Sequence, residues 1–143
     1  MSIFALIESQ LTELAAAYQA VLTRDRDGQS LRPMGPNHAS FEERRIDWQR
    51  EGINLAIIIQ PNFLATGVDT TKWNFSAVAW QGSGHEKRTA GQDFATSMPF
   101  QYIEERIESL LVKACSYLNS IKMSDLKPMP YLHKQWGKSN PSE

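Results

Sequence analysis

The sequence predicts an α+β fold with an N-terminal helix, a three- or four-stranded antiparallel sheet and a C-terminal helix. Near both ends of the chain, apolar residues recur every three or four positions, as in a helix with one buried face. Between them, residues 46–60 and 73–80 alternate or run apolar, as strands do. Because short connections join consecutive strands, we expect an antiparallel meander with both helices on one sheet face, a two-layer sandwich.

The first helix is predicted from six apolar residues at intervals of 3, 4, 3, 4 and 3. They are Phe4, Ile7, Leu11, Leu14, Tyr18 and Val21. Ser2 is suited to the N-cap position, since its hydroxyl can accept a hydrogen bond from a backbone N–H of the first turn. Residues 24–40 contain two glycines and two prolines and are typical of a connector.

Three strands and a short fourth one are predicted next. Ile46 and Trp48 alternate with polar residues, and residues 50–52 supply a turn. Residues 53–60 form an apolar second strand that we expect residue 61, a proline, to end, and residues 73–80 form the third. After a turn at 82–84, residues 85–89 are interpreted as a polar edge strand. Alternation places Ile58, Val78 and Trp80 on the outer face of the sheet.

The last helix begins near Pro99, whose missing N–H costs little in a first turn. Its apolar stripe consists of Phe100, Ile103, Ile107, Leu110 or Leu111, Ala114, Leu118 and Ile121. Glu104 and Glu105 lie early in this helix, where the helix dipole favours negative charge. We therefore predict one α+β domain over residues 1–123 and a C-terminal extension, or arm, over residues 124–143.

Composition excludes several classes of protein. One cysteine in 143 residues allows neither an intrachain disulfide nor a multi-cysteine zinc site. The longest apolar runs, such as residues 55–59, are far shorter than the ~20 residues that cross a bilayer. Glu8 and Glu13 interrupt the N-terminal apolar residues, unlike in a signal peptide. We expect a cytoplasmic protein with no membrane segment.

No pattern of catalytic or metal-ligating residues stands out. The three histidines, His38, His85 and His133, are 47 and 48 residues apart, so no helical pair can chelate a metal. The glycine motifs that bind phosphates or dinucleotides are missing from the sequence, and we expect no cofactor. Cys115 falls within the stripe of the last helix, as a buried structural thiol does.

The charge pattern disfavours nucleic acid as a partner, since the net charge is −1. The order α-β-β-β-α also occurs in double-stranded-RNA-binding domains, which bind phosphates with a basic N-terminus of the second helix. Glu104 and Glu105 occupy that place here and would repel phosphate.

We expect a small protein-interaction module, of the immunity-protein, chaperone or adaptor type, that binds another protein or forms a homodimer. An apolar sheet face that no helix covers marks a partner site, and tryptophan and tyrosine anchor interfaces. The predicted partner-binding residues, on the open sheet face and the C-terminal arm, are Trp48, Trp80, Tyr131 and Trp136.

The alternative is a small ligand-binding protein or hydrolase with a polar site at His85, Glu86 and Arg88. Histidine titrates near neutral pH, and neighbouring charges adjust that titration to acid–base work. The sequence favours the binding module over the enzyme, because no residue in it lies in a pattern typical of a catalytic group.

Overall fold

The computed structural model describes residues 2–24, 42–64, 67–90 and 94–128 of the chain. The helices are α1 (Glu8–Ala17), α2 (Phe100–Glu105) and α3 (Ile107–Ser120). The strands are β1 (Val21–Arg24), β2 (Arg44–Arg50), β3 (Ile53–Leu64), β4 (Gly67–Gln81), β5 (Arg88–Ala90), β6 (Phe94–Met98) and β7 (Leu126–Pro128). Short 3-10 turns lie at Gly84–Glu86 and Met123–Asp125. The mixture of helices and an antiparallel sheet confirms the predicted α+β class.

The strands of the described ranges form one antiparallel sheet in the order β1-β2-β3-β4-β5-β7, with β6 also paired to β4. β6 pairs with the middle of β4, and β5 pairs with its end at Trp80 and Gln81. The prediction of three or four strands is therefore wrong, because the sheet has seven. β1, β6 and β7 are three to five residues long, and so short a strand leaves little alternation in the sequence.

β3 and β4 form a long hairpin that continues beyond Pro61. Pro61 lies opposite Trp73, and the register shifts between Pro61 and Asn62 before pairing resumes as far as Leu64 and Gly67. Proline cannot donate a ladder hydrogen bond, and a bulge is one of the few places in a sheet that tolerate it. The expectation that Pro61 ends the strand is therefore wrong.

The turn between β2 and β3 lies where the sequence predicts it. Glu51 and Gly52 have φ angles of 54° and 82°, and a two-residue hairpin turn of type I′ requires positive φ at both positions. Glycine adopts that conformation at no steric cost. The tight turn sets the register that pairs every residue of β2 with β3.

The helices and the inward-facing strand residues share one apolar core. At one end of it, the rings of Phe4, Trp73 and Phe100 meet with centroid distances of 5.8, 5.2 and 4.9 Å. At the other end, Tyr18, just after α1, stacks on Trp48 of β2 at 4.9 Å. Trp48 and Trp73 share a sheet face by register. The residues that flank α1 and the first residue of α2 therefore pack against the same face.

Arg50 joins the sheet to α3. Its Nη2 donates to the carbonyl oxygens of Leu118 and Ile121 at 2.7 and 2.9 Å. The last carbonyls of a helix lie at the negative end of its dipole, where a cationic donor is stabilising. Beyond α3 the chain enters β7, and Leu126 there is fully buried. The sheet thus includes some of the residues that the sequence assigns to the C-terminal extension.

A partly buried ion pair fixes the N-terminal segment against β2. Arg44 is 4% exposed and donates from Nε to one carboxylate oxygen of Glu8 at 3.0 Å, while Arg24 donates to the other at 2.6 Å. Burial raises the pKa of Glu8, but the two guanidinium groups outweigh it and the pKa is lowered overall. Helix α1 begins at Glu8, later than predicted, and the Ser2 hydroxyl accepts a hydrogen bond from the Phe4 N–H at 3.0 Å in the turn before it.

Candidate functional site

The sheet face turned away from the core carries the strongest candidate for a functional surface. Because side chains alternate across a strand, the neighbours of the buried strand residues point outward. One outward row consists of Asp47, Ala56 and Val78, and the next consists of Gln49, Asn54 and Trp80. The outer patch, as we name this surface, consists of Arg45, Asp47, Val78, Trp80, Lys87 and Lys127.

Trp80 lies at the centre of the outer patch and is half-buried. The Arg45 Cζ and the Lys87 Nζ each lie 5.6 Å from the centroid of its ring, within the ~6 Å range of cation–π attraction. Arg45 also donates from Nε to both carboxylate oxygens of Asp47, at 3.0 and 2.9 Å. Charged neighbours therefore hold this ring, on the side of the sheet away from the apolar core.

Strand pairing adds a second lysine to the outer patch. Trp80 pairs with Thr89, and Thr89 pairs with Lys127, so Lys127 lies on the same face about 10 Å away at the usual strand spacing. Lys127 is exposed and Lys87 is partly exposed, and neither makes an ion pair within the described residues. Three cations and one carboxylate give the outer patch a net charge of +2.

A groove of about 420 Å³ runs beside Trp80. Its lining combines aromatic, amide and carboxylate side chains and includes Tyr18, Asp47, Trp48, Gln49, Asn54 and Trp80. Gln49 Nε2 donates to Asn54 Oδ1 at 2.7 Å, which aligns the two amides across the β2–β3 turn. The volume is in the range of small-ligand pockets, so the groove is large enough to admit a partner's side chain next to Trp80.

The four predicted partner-binding residues lie in different places. Trp48 faces the core, is 9% exposed and stacks on Tyr18, although its edge reaches the groove. Trp80 lies on the outer face. Tyr131 and Trp136 are outside the described residues. Of the two tryptophans that are described, Trp80 is the one whose ring lies on the sheet face away from the apolar core.

A second groove, of about 610 Å³, lies between α1 and α3. Leu14, Leu111 and Val112 give it apolar walls, and Cys115 lies along it. Cys115 is 8% exposed, and burial raises the pKa of its thiol against the opposing effect of a hydrogen bond with Tyr18. A thiol with a raised pKa stays protonated at neutral pH and is a poor nucleophile, as expected of a structural cysteine.

His85, Glu86 and Arg88, the residues of the ligand or hydrolase hypothesis, are exposed around the turn after β4. Arg88 Nη2 donates to the Leu126 carbonyl oxygen at 2.8 Å, which ties β5 to β7. None of the three lines either of the grooves beside Trp80 and between the helices. The turn thus gives Arg88 a role in joining β5 to β7.

The described ranges contain neither a cluster of metal-ligating side chains nor a helix that could span a membrane. No group of three or more histidine, cysteine, aspartate or glutamate residues there is placed to hold a metal ion. None of the helices in those ranges is long and apolar enough to span a bilayer.

The sequence alone does not indicate that the two lysines of the outer patch lie near Trp80. Lys87 follows a glycine-rich turn, and Lys127 lies in the segment predicted to be an extension beyond the domain. Their association depends on the pairing of β4 with β5 and of β5 with β7. Two of these strands are three residues long. They are too short to show the alternation of apolar and polar residues that would predict this pairing.

No protein-family model, no curated protein and no solved structure matches this chain. The case for a function therefore depends on the geometry and charge of the outer patch.

Proposed function

We propose that this chain is a small protein-interaction module whose partner docks on the outer patch. The partner is another protein or a second copy of the chain. In this proposal the C-terminal segment 129–143, which contains Tyr131 and Trp136, adds a second region of contact. We also propose a cytoplasmic location, because a lone buried cysteine suits a reducing compartment.

The observation that supports this proposal most is the position of Trp80. Its ring lies on the sheet face opposite the core, among cations, where it contributes little to the helix–sheet packing. Tryptophan is enriched among the few residues that supply most of the binding free energy of interfaces. Val78 lies beside it on the same strand, and Ile58 continues the apolar surface two rows away. An aromatic anchor with apolar neighbours and a charged rim is the usual anatomy of an interface.

The sheet also makes Trp80 a rigid anchor. Its backbone pairs with Asn54 in β3 on one side and with Thr89 in β5 on the other. A residue held between two neighbouring strands has little backbone freedom to lose when a partner binds. Preorganisation of this kind lowers the entropy cost of association.

A pull-down from a lysate of the native organism, analysed by mass spectrometry, tests this function. The baits are the full chain, Trp80→Ser, Val112→Ser and the chain truncated after Pro128. Val112 is the matched control, because it is an apolar residue of α3, 68% exposed, on the opposite layer of the molecule. Thermal melts check that each bait is folded before its capture is compared.

We expect one stoichiometric protein that the full chain and Val112→Ser capture and that Trp80→Ser loses. Its loss on truncation would assign segment 129–143 to the same interface. If the partner is a second copy, sedimentation velocity shows a dimer for the full chain and a monomer for Trp80→Ser. Capture that is indifferent to Trp80→Ser, or no capture together with no dimer, contradicts the proposed docking role.

A further inference from the structure

We infer that the partner presents carboxylates to the outer patch, so that its docking element is an acidic protein segment. This inference rests on the proposed function and adds the chemistry of the partner. Its basis is the distribution of charge over the two layers of the molecule.

The outer patch carries positive charge that its own residues do not neutralise. Asp47 uses both carboxylate oxygens on Arg45, so these two residues form a neutral pair. Lys87, with its ammonium group over the Trp80 ring, and Lys127, on the same sheet face, remain without an ion pair among the described residues. A partner carboxylate that lies over Trp80 therefore has two cations within reach.

The helix layer carries the opposite charge. Glu8 is already paired with two arginines and is left out of the count. The other charged residues of the three helices and of the link between α2 and α3 are Glu13, Glu104, Glu105, Arg106, Glu108 and Lys113. Four carboxylates and two cations give a net charge of −2, against +2 on the outer patch. An acidic partner is attracted to the sheet face and repelled by the helices, so the charge selects both the face and the orientation of docking.

A polynucleotide is the competing anionic partner, and the outer patch suits it less well. Sheets that bind single strands stack successive bases on two or three aromatic rings, whereas Trp80 is the single aromatic residue of the outer patch. The other two rings of the adjoining groove, Tyr18 and Trp48, are stacked on each other on the core side. Val78 in the patch and Ile58 beyond it offer apolar contact, which suits protein side chains better than a phosphate backbone. We therefore assign the patch to an acidic protein segment and make an oligonucleotide one outcome of the test.

Fluorescence anisotropy with three labelled probes measures this preference directly. The probes are deca-glutamate, deca-lysine and an oligo-dT of similar length, titrated at low salt, where charge attraction is least screened. Each is titrated with the full chain, Lys87→Glu, the double variant Lys87→Glu/Lys127→Glu, and Lys113→Glu. Lys113 is the matched control, since it is an exposed lysine on α3 that undergoes the same charge reversal on the helix layer.

We expect deca-glutamate to bind the full chain, and Lys87→Glu to weaken it roughly fivefold, a factor equivalent to one exposed charge pair. The double variant should weaken it further, and Lys113→Glu should leave it within about twofold of the full chain, which is less than one such pair contributes. Added salt should abolish the binding. Any one of three results overturns the inference. Deca-glutamate does not bind, or Lys87→Glu and Lys113→Glu lose equal affinity for it, or oligo-dT binds more tightly than deca-glutamate does.

The pull-down separates failure of this inference from failure of the proposed function. If Trp80→Ser loses the captured protein but the double lysine variant retains it, the outer patch is a docking surface and the acidic partner is excluded. If both variants retain it, the docking function itself fails. Loss with Trp80→Ser and with the double variant supports both.

Discussion

Replacing Arg44 by methionine measures how much the partly buried ion pair contributes to folding. The Arg44 side chain is 5% exposed, and among the described residues its guanidinium donates to three oxygens. These are the Glu8 carboxylate at 3.0 Å, the Glu43 carbonyl at 3.0 Å and the Ser2 hydroxyl at 3.3 Å. Its Cζ also lies 4.4 Å from the centroid of the Phe4 ring. Methionine keeps the unbranched stem and removes the charge and the hydrogen-bond donors.

The expected loss in the free energy of unfolding depends on the Glu8 carboxylate, which the substitution leaves without Arg44. Removing one partner of a fully buried ion pair costs about 3–5 kcal/mol, because the remaining charge stays buried without compensation. The Glu8 side chain is 29% exposed and keeps its contact with Arg24, so water and the second arginine relieve part of that cost. We therefore expect Arg44→Met to lower the free energy of unfolding by about 3 kcal/mol, the low end of the range.

The next residue of the same strand supplies the control. Arg45→Met removes the same charge from the other side of β2, where Arg45 and Asp47 are 26% and 34% exposed. An ion pair that exposed contributes at most about 1 kcal/mol, and a cation–π contact at a surface adds a similar or smaller amount. We expect Arg45→Met to cost about 1 kcal/mol.

Urea unfolding of both variants, followed by tryptophan fluorescence, checks the difference. Trp48 and Trp73 are buried in the core, so their emission reports the loss of tertiary packing. The transition midpoints should differ between the variants while the slopes stay equal. Equal costs for the two substitutions, or a cost below about 1 kcal/mol for Arg44→Met, would refute the view that burial sets the contribution of these arginines.

Three further results are expected. The pKa of Glu8 is held below its ordinary value of 4.5. The stability that its ion pairs contribute is therefore complete above pH 4.5 and is lost as the pH falls through the lowered pKa. Glu8→Gln should remove this part of the acid dependence in urea titrations. Because burial raises the pKa of Cys115, a thiol reagent at neutral pH should label the native chain far more slowly than the unfolded chain, and equal rates would contradict the buried position. Gly82→Ala should lower the melting temperature more than Gly84→Ala, since both glycines have positive φ but only at Gly82 would a Cβ lie 2.9 Å from the Glu86 carbonyl oxygen.

The elements with strong periodicity could be predicted from the sequence. Ile103, Ile107 and Leu118 are buried as the helical stripe requires, and the β2–β3 turn forms at Glu51 and Gly52. Val21 shows where the pattern misleads. It continues the helical stripe in the sequence, yet the helix ends at residue 17 and Val21 is a 65% exposed residue of an edge strand. Tertiary pairing with β2 outweighs the local spacing there.

The candidate site likewise contains residues that a local pattern predicts and residues that it does not. Alternation puts Trp80 on the outer face with Val78, where the structure has it. Trp48, which the sequence predicts to be a partner-binding residue, instead lies on the core face and stacks on Tyr18. Lys127 joins Trp80 only through two successive strand pairings, and the second of them, Thr89 with Lys127, connects residues 38 positions apart. Contacts of that kind are set by the path of the chain in three dimensions, and no local pattern of residue types encodes them.

Site-specific photo-crosslinking in the native organism tests the docking role of the outer patch most directly. A photoreactive phenylalanine derivative replaces Val78 on the outer patch in one strain and Val112 on α3 in another, and adducts are identified by mass spectrometry. We expect a single protein adduct from position 78 and none from position 112, and we expect that adduct to be lost when Trp80→Ser is added. Adducts from position 112 alone, or an adduct at position 78 that survives Trp80→Ser, would contradict a partner that docks on the outer patch through Trp80.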